Sequence, residues 1–217
     1  MPGLCQNDPL FDASSDASTV LLEQGMADWI RFSLLAAVLI TAAIWDVRTS
    51  RAPNWLTLGG VVAGLTLAAG IGIVRMIQGE NTSALSQEMT AAIVGLLAGF
   101  IPMAIIFFSG AMGGADVKTM AAAGAISASW PIAFETFVNA FVIAALIGII
   151  LMIRHRLLWR TIMRLWGAIM MAMSRTRPQF SQDSPKVPFL LAVAIGGILA
   201  AGRHLLGWPI PWGLNVS

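Results

Sequence analysis

The stretch IAFETFVNAFVIAALIGIILMI, residues 132–153, decides the fold class. It is as long as the roughly 20 apolar residues that an α-helix needs to cross a bilayer, and Glu135 is its only charged residue. Further apolar stretches, each closed by polar, Gly or Pro residues, occupy residues 29–45, 55–77, 91–108, 117–129 and 187–206. The pattern predicts an all-α integral membrane protein with about six transmembrane helices, the fourth being short.

The composition of the whole chain agrees with a membrane protein. Hydrophobic residues make up 57% of the 217 residues and charged residues 11%, against about 25% charged in a soluble domain. The basic residues lie beside apolar stretches without interleaved aromatic side chains, so nucleic acid is not an expected partner. Cys5 is the single cysteine, which rules out an internal disulfide framework and a thiolate zinc site. No metal and no other cofactor is expected.

The chain divides into a membrane core, 29–207, and two short tails. Residues 1–28 contain acidic residues but no Lys or Arg, so they lack the basic region of a cleavable signal peptide and are predicted to form a flexible tail. Residues 208–217 form the second tail. Inside the core, 154–186 is a basic loop whose segment 157–174 carries arginines on one helical face and apolar residues on the other. This segment predicts an interfacial amphipathic helix.

The positions of Lys and Arg predict the orientation, because loops on the cytoplasmic side carry the excess of basic residues. Arg48 and Arg51 follow the first apolar stretch, Lys118 opens the fourth, and many of the others fill the basic loop after the fifth. All these positions lie on one side of the membrane. That side is predicted to be cytoplasmic, with both termini outside.

Asp46 and Asp116 fall at this same membrane edge, at the end of the first stretch and the start of the fourth. Ionisable groups at membrane depth are costly and mark function, and two carboxylates in one site titrate at different pH values. Ordinary interpretations stay open: Asp116 could cap a helix, and Asp46 could pair with Arg48. These residues alone predict a polar intramembrane site of unknown chemistry.

Two short motifs connect the chain to a known family. DVRTSRAPN, residues 46–54, resembles the first signature of type IV prepilin peptidases, and MGGADVK, residues 112–118, resembles the G-x-G-D-x-K loop of the GxGD aspartic proteases. The order of the motifs and their separation by two apolar stretches also fit that family. The resemblance implies a six-span helical fold and an aspartic endopeptidase in which Asp46 and Asp116 are catalytic.

The residues around the aspartates receive roles from the same resemblance and from their chemistry. Gly113 and Gly114 would let the backbone bend and approach a substrate closely, although a flexible turn is an equally simple interpretation. Lys118 would favour an ionised carboxylate or bind acidic groups, or it marks the cytoplasmic side. Asn54 would support the Asp46 loop through hydrogen bonds, or it is a polar residue at a wet helix start.

The sequence departs from the family pattern at Ala115, where the second signature has Gly. A Cβ there penalises a left-handed backbone if the loop needs one, and this would reduce activity. The last stretch resembles the family's last span, but Phe189 and Leu190 stand where a Tyr-Gly pair is common.

The chain resembles the short, peptidase-only form associated with tight-adherence (Flp-type) pili, because it lacks the paired Cys-x-x-Cys motifs of the longer forms. The resemblance implies a bacterial inner-membrane enzyme that removes the leader of a small prepilin or pseudopilin at the cytoplasmic edge, without methyltransferase activity or S-adenosylmethionine. The basic loop would bind anionic membrane lipid. Two alternatives remain: a catalytically silent assembly factor of a pilus or secretion system, and a small ion translocator that uses the same aspartates.

Overall fold

The computed structural model describes residues 9–49, 53–79, 82–110, 112–154 and 189–206, with side chains from residue 25 onward. Regular structure in these ranges is entirely α-helical. The helices are α1 Pro9–Thr49, α2 Asn54–Ile77, α3 Ala84–Phe108, α4 Gly114–Ser127, α5 Trp130–Arg154 and α6 Phe189–Leu206. The predicted all-α class and the six helices expected from the apolar stretches are confirmed for this part of the chain.

Five of these helices are long and apolar enough to cross a membrane, and α4, with 14 residues, is shorter. In α1 the candidate span is Gly25–Thr49, but the helix itself begins at Pro9. Most of the segment predicted as a flexible tail is therefore helical. The predicted interfacial helix and the C-terminal tail lie outside the described residues.

The short helix α4 is enclosed by its neighbours. Nearly all of its residues beyond Asp116 are buried, and it packs against α2 and α3. Glycines on these two helices allow the close approach: a Cβ added to Gly64 would lie 2.7 Å from the backbone carbon of Ala125, and Gly95 and Gly124 lie equally tightly together. Small residues at helix contacts let backbones approach without side chains between them. These contacts hold α4 in place between α2 and α3.

Buried ion pairs connect the helices at the opposite end of the bundle from Asp46. Glu88 of α3 is 7% exposed and pairs with Arg31 of α1 and with Arg75 of α2, whose Nη1 lies 2.6 Å from Glu88 Oε1. Burying a charge is costly unless an opposite charge compensates it. These contacts therefore tie three helices together at the predicted outer side.

A second polar contact joins α5 to α6. Glu135 pairs with Arg203, and its Oε2 lies 3.7 Å from Nε2 of His204. One turn further along α5, Asn139 Nδ2 donates to the backbone oxygen of Gly196 at 3.5 Å. Glu135 and Asn139 therefore both hold α5 against α6.

Candidate active site

Asp46 lies in the last turn of α1 and is half-buried. Its carboxylate is within hydrogen-bonding reach of the backbone N–H of Leu190, in the first turn of α6. The first N–H groups of a helix have no partner within that helix, so a carboxylate there is favourable. Below this contact, Ala42, Leu56 and Leu190 form a small buried cluster. The ends of three helices thus position Asp46.

Asp116 lies in the first turn of α4, next to the extended residue Gly113 that precedes the helix. Its backbone N–H donates to the oxygen of Gly113 at 3.2 Å, and its carboxylate interacts with the backbone N–H of Gly113. A carboxylate at the third helical position that reaches back to the N–H of the N-cap residue is one half of a capping box. The capping interpretation of Asp116 therefore describes part of what this side chain does.

The two carboxylates also act on each other, although their residues are far apart in the chain. The pKa of Asp116 is raised from its ordinary value of 3.8 to about 6, mainly by burial at the start of α4 and also by the charge of Asp46, while the N–H of Gly113 acts in the opposite direction. A neighbouring like charge has this effect only at short range. The fold thus places the carboxylates of Asp46 and Asp116 near enough for their charges to interact.

Lys118 and Asn54 are also brought together by the fold. Nζ of Lys118, one half-turn beyond Asp116, donates a hydrogen bond to Oδ1 of Asn54 at 2.9 Å. Asn54 is the first residue of α2, after the extended Pro53, whose carbonyl accepts from the N–H of Leu56 at 3.1 Å. This contact fastens the start of α2 to the start of α4.

The glycines of the second motif do not have the backbone conformation that would require glycine. Neither Gly113 nor Gly114 has a positive φ, and an added Cβ would make only ordinary contacts, 3.4 Å from Asp116 Oδ2 and 3.5 Å from Phe107. Ala115 is helical and right-handed. The left-handed penalty considered for Ala115 therefore does not arise in this conformation.

Sequence reasoning missed the contribution of α6. Leu190 was noted only as a departure from the family pattern, yet its N–H is the backbone group that Asp46 meets. The available signal was Pro188 directly before an apolar run, which is typical of a helix start with free N–H groups. Among the described residues, no group of three or more His, Cys, Asp or Glu side chains is placed to hold a metal ion.

Comparison with known proteins agrees with this geometry. The sequence model of the type IV leader peptidase family matches residues 33–153. This match covers more than half of the chain and includes both aspartates. No curated protein and no solved structure shows significant similarity to the chain. Because the match covers more than half of the chain and includes both aspartate motifs, the chain belongs to the type IV leader peptidase family.

Proposed function

We propose that the chain is an aspartic endopeptidase with Asp46 and Asp116 as its catalytic pair. The observation that carries this proposal is the electrostatic contact between the two carboxylates, which come from the end of α1 and the start of α4. Membership in a peptidase family and a pair of interacting carboxylates together favour hydrolysis of a peptide bond by acid–base catalysis.

The proposed chemistry needs one ionised and one protonated carboxyl group. The ionised carboxylate takes a proton from a water molecule, which attacks the scissile carbonyl carbon, while the protonated partner donates to the carbonyl oxygen. The raised pKa of Asp116 supports its role as the proton donor, which leaves Asp46 as the carboxylate that takes the proton from water. No covalent intermediate is involved.

The proposed substrate is a type IV, Flp-like prepilin or pseudopilin, which consists of a short leader followed by an apolar helix. Cleavage would take place at the cytoplasmic edge of the bacterial inner membrane, with both termini of the enzyme outside. The proposal includes no methyl transfer. Anionic lipid is the proposed partner of the basic loop 154–186.

The test is cleavage of a purified prepilin by the purified protein in one detergent. Asp46→Asn and Asp116→Asn should each abolish leader removal, and the double variant should be no worse than either single one, because the two residues act as a unit. Asp28→Asn is the matched control, since this carboxylate lies near the other end of the candidate span Gly25–Thr49, 3.8 Å from Arg31, and should leave the rate unchanged.

The outcomes separate the proposal from its alternatives. Prepilin binding without cleavage by the wild-type protein would indicate an assembly factor, and ion flux in liposomes without cleavage would indicate a translocator. Efficient cleavage by either single aspartate variant would refute the catalytic pair.

A further inference from the structure

The first turn of α2 lies between the helix ends that form the candidate active site. Asn54, Trp55 and Leu56 are consecutive residues of this turn. Consecutive residues of an α-helix point about 100° apart around the helix axis, so the three side chains face three different directions. Each of them contacts a different part of the site, although the turn itself contributes no carboxylate.

Trp55 contacts the end of α1. Its ring meets the ring of Trp45 edge to face, with the centroids 6.0 Å apart and the ring planes at 90°. Edge-to-face aromatic pairs are favourable beyond the area that they bury. Trp45 directly precedes Asp46 on α1, so this contact fastens the turn of α1 that carries the first carboxylate.

The two neighbours of Trp55 in the chain contact the starts of α4 and α6. Oδ1 of Asn54 accepts from Nζ of Lys118 at 2.9 Å, and Lys118 lies two residues beyond Asp116 on α4. Leu56 is 8% exposed and shares a buried cluster with Leu190 of α6. The first turn of α2 is therefore a common contact of the three helix ends around the aspartates.

The tryptophan pair also has an ordinary explanation. Trp45 is 41% exposed and Trp55 is 64% exposed, and tryptophan is frequent at membrane–water interfaces. Anchoring at an interface explains this exposure. It does not explain the ring contact between two helices, or the position of that contact directly beside Asp46.

We propose that the first turn of α2 sets the separation of the two aspartates and that Trp55 is a positioning residue of the peptidase, an inference that rests on the proposed function. Asp46 and Asp116 lie on different helices. Each of these helices is fastened to α2 within two residues of its aspartate, α1 through Trp45 and α4 through Lys118. A loosened turn therefore lets one carboxylate move relative to the other.

The separation matters because the two carboxylates act on each other. The charge of Asp46 contributes to the raised pKa of Asp116, and this contribution decreases as the distance between the charges grows. In the proposed mechanism Asp116 donates a proton, so activity is lost as pH rises through its pKa. Loosening the turn lowers this pKa and should move the loss of activity to lower pH.

The first test measures prepilin cleavage. Trp55→Leu keeps an apolar side chain but removes the ring contact, and it should lower kcat about tenfold or more while KM stays within about twofold, because orientation of the catalytic groups acts on the transition state. The fall of kcat/KM at high pH should begin at lower pH than in the wild type. Trp55→Phe retains an aromatic ring and should recover most of the rate. Trp29→Leu is the control: Trp29 is 54% exposed, near the other end of the candidate span of α1, and its loss should leave both quantities unchanged.

The second test requires no turnover. Melting temperatures of Asp46→Asn, Asp116→Asn and the double variant at pH 7.5 give the interaction between the two carboxylates as the deviation from additivity. This deviation should be smaller when Trp55→Leu is also present. It should keep its wild-type size when Trp29→Leu is present instead.

A variant on the other side of the turn keeps the test decisive if Trp55→Leu does not fold. Asn54→Ala removes the acceptor of the Lys118 hydrogen bond and leaves the tryptophan pair in place. It should reduce the same deviation from additivity.

The two proposals fail in distinguishable ways. An unchanged deviation in the folded Trp55→Leu protein, or an equal decrease in Trp29→Leu, overturns the positioning role, and so does a lower kcat without a shift of the pH profile. If Trp55→Leu does not fold, an unchanged deviation in Asn54→Ala overturns it. Absence of cleavage by the wild-type protein refutes the proposed function, while the unfolding data still decide whether the turn sets the separation of the aspartates.

Discussion

Asp116→Asn should abolish leader cleavage and at the same time stabilise the folded protein. Asp116 precedes the fourth apolar stretch, and burial together with the neighbouring Asp46 raises its pKa from 3.8 to about 6. At 1.36 kcal/mol for each pKa unit, this difference corresponds to about 3 kcal/mol of lost stability when the carboxylate is ionised. Asparagine carries no charge and can still accept from Gly113, so we expect a gain of about 1–3 kcal/mol at pH 7.5.

The gain should depend on pH in a defined direction. The folded state binds the proton of Asp116 more tightly than the unfolded state, so the wild-type protein loses stability as pH rises from 3.8 to about 6, and the loss is complete above that. The asparagine variant lacks this dependence. Its advantage should be full at pH 7.5, about half as large at pH 5, and close to zero near pH 4.

The assay is thermal unfolding of both proteins in one detergent at these three pH values. For a chain of this size, the expected gain is an increase in melting temperature of roughly 3–8 °C at pH 7.5. Asp28→Asn is again the control and should change the melting temperature little, because exposed ion pairs contribute little. An asparagine variant no more stable than wild type at pH 7.5, or a gain that does not shrink at low pH, would show that the two carboxylates are not close and buried as described.

Three further changes test the surroundings of the site. Leu190→Pro removes the N–H that Asp46 meets and should lower kcat about tenfold or more. Leu190→Ala keeps the N–H and should mainly lower the melting temperature. Equal kcat values for the two variants would contradict a role of this N–H in catalysis. Ala115→Gly should leave the cleavage rate unchanged or slightly lower, because Ala115 is already helical and glycine only adds conformational freedom to the unfolded chain. A clear rise in rate would mean that the backbone at residue 115 adopts another conformation in the active enzyme. Glu88→Gln removes the buried carboxylate that contacts Arg31 and Arg75 and should cost about 3–5 kcal/mol in a detergent unfolding assay, and an unchanged melting temperature would show that the pairs contribute nothing.

The sequence was sufficient for properties that depend on local composition. Apolar length and the scarcity of charge predict spanning helices because the bilayer core admits few other backbone structures. The same reasoning singled out Asp46 and Asp116, since an ionisable group at membrane depth is rare without a purpose. The two short motifs then indicated the family, and the match over residues 33–153 agrees.

Only the tertiary structure decided which residues meet. Lys118 contacts Asn54, Glu88 joins Arg31 to Arg75, and the start of α6 meets Asp46. These pairs come from separate helices, and their distances depend on how closely glycine-lined helix faces pack and at what angle. Hydrophobic periodicity shows which face of a helix is apolar, but it contains no information on which other helix covers that face, and this is why the contacts around the two aspartates emerged only from the fold.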